Sequence, residues 1–126
     1  MSRPTVLIAA ENSVLAALIG YLAELAGYDP VFGVTGESVP DSIDRLGPRI
    51  VLLDVDVALT GADAIFDRAA ECHSRVVLFT GARGRAGAEA LAAIHGAEVV
   101  ELPVNPRSLA TLLAGVLSAL VLLMGR

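Results

Sequence analysis

The sequence contains no lysine, no tryptophan and only one cysteine. Its basic residues are nine scattered arginines, and the formal net charge is −5. Because no basic cluster is available to neutralise a nucleic-acid backbone, we expect no nucleic-acid binding by this chain alone. The lone Cys72 has no partner for an internal disulfide, and we interpret it as a buried structural thiol.

Charged residues are also scarce, at 18% of the chain, whereas hydrophobic residues make up 55%. This composition argues against a disordered chain. At 126 residues the sequence suits one domain, residues 1–126, that buries a single core without metals or disulfides. The first residues lead directly into a short apolar strand and do not look like a targeting segment, so we expect a cytoplasmic protein.

Strand and helix patterns alternate five times along the chain. The predicted strands are Thr5–Ala10, Tyr28–Thr35, Ile50–Leu53, Val76–Phe79 and Ala97–Leu102. The predicted helices run from Asn12 or Ser13 to Leu25, from Pro40 to Leu46, from Ala62 to Cys72, from Ala86 to Ile94 and from Arg107 to Met124, with a loop between Asp54 and Gly61. This alternation predicts an α/β domain whose parallel sheet is covered by helices on both faces, and Pro30 favours an edge position for the second strand.

Polar side chains follow three of the predicted strands. Asp54 directly follows the apolar third strand, Glu11 follows the first and Thr80 follows the fourth. Asp56 adds another carboxylate just beyond Asp54. Because the carboxyl ends of parallel strands meet at one edge, where ligands bind in open α/β sheets, we expect these residues to share a site.

The order of these features resembles the receiver domain of two-component response regulators, over essentially the whole chain. The resemblance implies a flavodoxin-like doubly wound sheet with strand order 2-1-3-4-5. No single motif is specific, but the motifs occur together in register. They are Val6-Leu7-Ile8 before Ala10-Glu11, Val51-Leu52-Leu53-Asp54, Leu78-Phe79-Thr80-Gly81, Gly96-Ala97, and Leu102-Pro103 where the family has Lys-Pro.

The resemblance implies that Asp54 is the phosphoacceptor, that Thr80 binds the phosphoryl group, and that carboxylates hold Mg²⁺. The chain departs from this pattern at several positions. The first acid of the family is replaced by Ala10, and its lysine by Leu102 or, counted from Gly96, by Glu101. The family's switch aromatic on the fifth strand is replaced by Val99 or Val100.

These departures favour an atypical receiver domain that acts as a protein-interaction module in bacterial signalling. We expect impaired phosphorylation, weak Mg²⁺ binding by Glu11, Asp54 and Asp56, and a histidine kinase or an output protein as partner. One alternative is a functional phosphoacceptor that takes phosphate from a histidine kinase on Asp54. Another is a sensor of a small anionic ligand near Gly81–Gly87, although a mobile loop is the simpler interpretation of that segment. We expect that the chain is not an enzyme.

The last predicted helix has an unusual composition, since no charged residue occurs from Ser108 to Gly125. Its leucines repeat at helical spacing and are expected to cover the sheet. The opposite face is small and uncharged, which favours a homodimer or another tight protein contact; contact with a membrane and simple exposure are the alternatives. The predicted interface residues are Thr111, Ala114, Gly115, Ser118, Ala119 and Leu122.

Overall fold

The computed structural model describes residues 3–101. In these residues the strands are β1 (Thr5–Ala9), β2 (Asp29–Phe32), β3 (Ile50–Asp54), β4 (Arg75–Thr80) and β5 (Glu98–Glu101). The α-helices are α1 (Ser13–Leu25), α2 (Val39–Leu46), α3 (Val55–Ala58), α4 (Ala62–Glu71) and α5 (Arg85–His95), and a 3₁₀ turn covers Ala82–Gly84. The predicted alternation of strands and helices is therefore confirmed over this range.

The five strands form one parallel sheet in the order β2-β1-β3-β4-β5. This is the flavodoxin-like order that the resemblance to receiver domains implied. Pro30 lies in β2, which is the edge strand of the described sheet and pairs with β1. An edge position suits proline because its nitrogen has no hydrogen to donate to a second neighbour.

Side chains of the inner strands alternate between two apolar clusters, one on each face of the sheet. On one face, Ile8 and Leu52 pack with buried residues of α1, such as Ile19. On the other face, Leu53 packs with residues of α2 and α4, including Ile43. The predicted placement of helices on both faces is confirmed.

Local side-chain contacts explain where the first two helices begin. The Asn12 side chain accepts hydrogen bonds from the backbone N–H groups of Val14 and Leu15, at 2.9 and 3.0 Å, which makes Asn12 the N-cap of α1. Ser38 accepts a bond from the Asp41 N–H at 3.2 Å and caps α2. The sequence had left Asn12 and Ser13 open for the first cap.

Several boundaries differ from the prediction. The predicted second strand extends too far, because β2 ends at Phe32 and the chain then turns at Gly36, which has a φ of 84°. The backbone N–H of Val34 donates to the Glu37 carboxylate instead of a neighbouring strand. Cys72 is partly buried at the end of α4 rather than fully buried, and its thiol is free.

Two segments that were predicted as loops are helical. The segment after Asp54 begins with α3, because the Asp54 side chain caps its first turn and Val55 and Ala58 are buried. The Gly81–Gly87 segment, interpreted as a mobile loop, contains the 3₁₀ turn and the first residues of α5. Of its three glycines, only Gly84 packs closely against β4, where a larger residue would collide with Thr80.

The last predicted helix and its proposed interface lie outside the described residues, as does Leu102. Within residues 3–101, no helix combines the length and the apolar character needed to cross a membrane.

Candidate functional site

The carboxyl ends of β3 and β4 lie side by side and form a cavity of about 320 Å³. Asp54 is the last residue of β3, and its register partner in β4 is Phe79, so that Thr80 follows immediately beside it. The cavity is lined by Asp54, Val55, Asp56, Thr80, Gly81, Arg83 and Gly84. The structure therefore brings together three of the predicted site residues, namely Asp54, Asp56 and Thr80.

Asp54 has two local contacts that define its electrostatics. Its carboxylate accepts a hydrogen bond from the Asp56 backbone N–H at 3.0 Å, which begins α3. Burial raises the pKa of Asp54, and the Asp56 carboxylate raises it further, while the backbone N–H groups of Asp56 and Glu11 lower it in part. The net pKa lies above the ordinary value, so the environment disfavours the charged form of this carboxyl.

Thr80 presents a buried hydroxyl to the same cavity. Thr80 is 3% exposed, and its hydroxyl donates to the backbone carbonyl of Gly81 at 2.9 Å. A methyl group on Gly84 would lie 2.3 Å from the Thr80 oxygen and 3.1 Å from a Val55 methyl. Only glycine therefore permits this approach of the 3₁₀ turn to β4.

The acidic residue at the end of β5 also lies next to Thr80. Glu101 is the register partner of Thr80, and its carboxylate is 3.3 Å from the Arg85 guanidinium. Arg85 also pairs with Glu89 at 2.8 Å, one turn further along α5. The two arginines of the Gly81–Gly87 segment therefore differ: Arg85 is held by two glutamates, whereas Arg83 lines the cavity of Asp54.

The predicted Mg²⁺ ligands Glu11, Asp54 and Asp56 do not converge on one point. Glu11 is exposed and lines a different, larger cavity. Within residues 3–101, no three residues among the histidines, cysteines, aspartates and glutamates are grouped so that they could hold a metal ion. Carboxylates are suitable Mg²⁺ ligands, but this arrangement does not fit the ion as a three-carboxylate site, and we assign no chemical step to it.

The larger cavity, of about 480 Å³, lies where β1 and β2 lead into the chain before α1 and α2. Its wall includes Phe32 and the Glu37 carboxylate. Glu37 accepts hydrogen bonds from Ser42 at 2.6 Å and from Arg45 at 2.7 and 2.9 Å. The Arg45 contact is the main cause, and the Ser42 hydroxyl the second, of a Glu37 pKa of about 2.

Sequence reasoning missed this cavity and the Glu37 network. The lining comes from three separate segments of the chain, residues 7–17, 32–42 and 57, so no local motif marks it. Only the spacing of Glu37, Ser42 and Arg45 along and before α2 offered a signal, since helix residues three and four apart lie on the same side. Glu37 is fully occupied by these local partners, which points to a structural role.

Solved structures of response regulators share this fold. A receiver domain from Rhodospirillum rubrum superposes with a TM-score of 0.72 at 18% identity, covering 94% of each chain. A response regulator from Thermotoga maritima gives 0.72 at 15% identity and covers 98% of this chain and 99% of its own. One from Hahella chejuensis gives 0.74 at 16% identity and covers 91% of this chain and 92% of its own.

No protein-family model matches the chain, and a search of curated proteins gave no match. At these identities the structural likeness shows the fold alone. The chain has the flavodoxin-like α/β fold of response regulator receiver domains, with strand order 2-1-3-4-5.

Proposed function

We propose that this chain is a receiver domain of bacterial two-component signalling that works mainly as a protein-interaction module and is phosphorylated poorly. The observation that carries the proposal is the shared cavity of Asp54 and Thr80 at the carboxyl edge of a receiver-like sheet. Its partners are a histidine kinase or an output protein, and its place is the cytoplasm.

Impaired phosphorylation follows from the charges around Asp54. Phosphoryl transfer depends on positioning and on neutralising the transferred oxygens. Here Ala10 replaces one acid, and β5 ends on Glu101 beside Thr80. Losing one electrostatic stabiliser of a transition state typically costs about 10²–10³ in rate. Glu11, Asp54 and Asp56 do not converge on one point within residues 3–101, so we expect Mg²⁺ binding to be weak.

Intact-mass measurement after treatment with acetyl phosphate tests this proposal. We expect a slow and incomplete gain of one phosphate, which is absent in Asp54→Asn and unchanged in the control Asp63→Asn. Asp63 is an exposed residue of α4 and does not line the Asp54 cavity. A rapid, complete and Mg²⁺-dependent gain on Asp54 would contradict the impairment.

The second candidate function is a working phosphoacceptor that takes phosphate from a histidine kinase. It is supported by the presence of Asp54, Asp56 and Thr80 in one cavity. In this case Asp54 forms the acyl phosphate, and Thr80 binds one of its oxygens. The rapid Mg²⁺-dependent labelling described above is the result that would establish it.

A further inference from the structure

Arg83 occupies a position that the sequence did not distinguish from its neighbour Arg85. It is the middle residue of the 3₁₀ turn Ala82–Gly84, and it lines the cavity that contains Asp54 and Thr80. The rest of that wall offers acids, a hydroxyl, a valine and glycines. Among the described residues, Arg83 is therefore the one cation lining this cavity.

The turn that carries Arg83 is fixed to the site at several points. The Gly84 backbone N–H donates to the Gly81 carbonyl at 3.1 Å, and the Thr80 hydroxyl donates to the same carbonyl at 2.9 Å. Gly84 also lies so close to Thr80 and Val55 that no larger residue fits without a shift. These contacts hold the backbone of Arg83 beside the cavity and leave its side chain exposed.

The other charges of the region favour Arg83 as the group that meets an incoming anion. Arg85 is paired with Glu89 and Glu101, at 2.8 and 3.3 Å. Arg83 forms no ion pair within residues 3–101. Its guanidinium can therefore bind an anion without first breaking an ion pair to another described residue. A guanidinium donates two parallel N–H groups to phosphate oxygens, which makes it well suited to a phosphoryl group.

We propose that Arg83 binds the phosphoryl oxygens of a phosphate transferred to Asp54 and so supplies the positive charge that the end of β5 lacks. This inference rests on the proposed function. In the transfer from acetyl phosphate, an Asp54 carboxylate oxygen forms a bond to phosphorus. The bond from phosphorus to the acetate oxygen breaks, and acetate leaves with that electron pair. Arg83 donates to the non-bridging oxygens, and the Thr80 hydroxyl turns away from the Gly81 carbonyl to donate to one of them.

The test compares three arginine variants by their initial rate of phosphorylation with acetyl phosphate, followed by intact mass. Arg83→Gln removes the charge and is expected to lower the rate about tenfold or more, since one oxyanion contact is lost. Arg83→Lys keeps the charge and should retain an intermediate rate. Arg49→Gln is the control, because Arg49 is exposed and precedes β3 at the end of the sheet opposite the cavity, and its rate should stay within about twofold of wild type. Equal rates for Arg83→Gln and wild type would overturn the inference while the proposed function stands.

If wild type gains no phosphate at all, the slow phosphorylation of Asp54 in the proposed function is wrong. The role of Arg83 in binding phosphate is then tested by a binding measurement. Inorganic phosphate is titrated into Asp54→Asn, which lacks the repelling carboxylate, and the amide resonances are followed by NMR. We expect saturable shifts at Gly81 and Gly84 that disappear in Asp54→Asn with Arg83→Gln. Absence of phosphate binding, or binding that survives Arg83→Gln, would overturn the inference.

Discussion

At the scale of single residues, Asp54 combines a structural and a chemical position. Its carboxylate caps α3 through the Asp56 N–H, and it faces the cavity shared with Thr80. The capping bond favours an acceptor, whereas burial and Asp56 disfavour a negative charge. An asparagine satisfies the first requirement and relieves the second.

The raised pKa of Asp54 predicts how a neutral substitution changes stability with pH. A raised acid pKa means that folding favours the protonated form, and this contribution is lost as the pH rises through the folded-state pKa. We expect Asp54→Asn to be at least as stable as wild type at pH 7, with its advantage vanishing below the ordinary value of 3.8. Urea denaturation at several pH values measures the difference.

Asp54→Ala is the matched control, because alanine removes the charge and also the cap. It should be less stable than Asp54→Asn by about 0.5–2 kcal/mol. A large loss of stability in Asp54→Asn at pH 7 would instead assign the negative charge a structural role.

The ionised form of Glu37 stabilises the fold, so its effect on stability changes with pH in the opposite direction to that of Asp54. Its pKa is lowered to about 2, chiefly by Arg45, so its ionised form stabilises the fold above the ordinary value of 4.5, and this stability is lost as the pH falls toward 2. Glu37→Gln should lower the denaturation midpoint at pH 7 and approach wild type in acid. Glu24→Gln, on the exposed side of α1, is the control and should change little at either pH. A midpoint deficit that stays constant down to pH 2 would contradict this role of the charge.

At the scale of elements, the junction of β3 and α3 separates what sequence patterns predict from what they miss. The continuous apolar run of β3 predicted a buried strand ending at Asp54, and the structure confirms it. The helix α3 was missed because its four residues are too few to show helical periodicity. The helix forms because Asp54 caps its first turn and because Val55 and Ala58 are buried. This burial depends on tertiary packing, which a local sequence pattern does not show.

Alanine substitutions at Gly84, in the 3₁₀ turn, and at Gly87, in α5, are expected to change stability in opposite directions. Gly84→Ala should destabilise the domain, because its methyl group would lie 2.3 Å from the Thr80 oxygen. Gly87→Ala, inside α5, meets nothing within 4 Å and should stabilise by about 0.5–1 kcal/mol. Thermal denaturation of the pair measures both signs, and equal effects would contradict the packing of Gly84 on β4.

The buried side chains of β3 should contribute more to the free energy of unfolding than Asp54 at the end of the strand. Leu52 is 4% exposed and packs in the cluster beneath α1. Leu52→Ala is expected to cost about 2–5 kcal/mol, because it removes buried methyl groups and leaves a cavity. Urea denaturation of this variant beside Asp54→Asn gives the contrast, and similar losses for both would contradict it.

At the scale of the whole molecule, the parallel sheet and its two helical layers could be predicted from the alternation of strands and helices, whereas the strand order was implied only by the resemblance to receiver domains. The placement of Asp54 and Thr80 on one edge followed from parallel topology alone. The sequence could not predict that Arg83, rather than Arg85, is the candidate phosphate-binding arginine. This distinction depends on the ion pairs of Arg85 and on the close packing of Gly84. The position of Glu11 in a separate cavity depends on the chain path after β1.

Self-association remains a prediction, since its proposed interface lies outside the described residues. An uncharged strip that includes Gly115 and Ser118 should pair by apolar burial and respond weakly to salt. We expect a dimer in sedimentation equilibrium at low and at high salt. Gly115→Glu with Ser118→Glu should dissociate it without unfolding the domain. A monomer at high micromolar concentration would contradict the prediction.

We propose that the chain is a receiver domain whose phosphorylation site lacks part of its positive charge and one acid. The most direct test is the initial rate of Asp54 phosphorylation by acetyl phosphate in wild type and in Ala10→Asp with Leu102→Lys. A second restored variant, Ala10→Asp with Glu101→Lys, tests the alternative alignment in which Glu101 occupies the position of the family's lysine. The account predicts a slow wild type and a rate about tenfold or more higher in one restored variant. A fast wild type, or no gain in either restored variant, would contradict it.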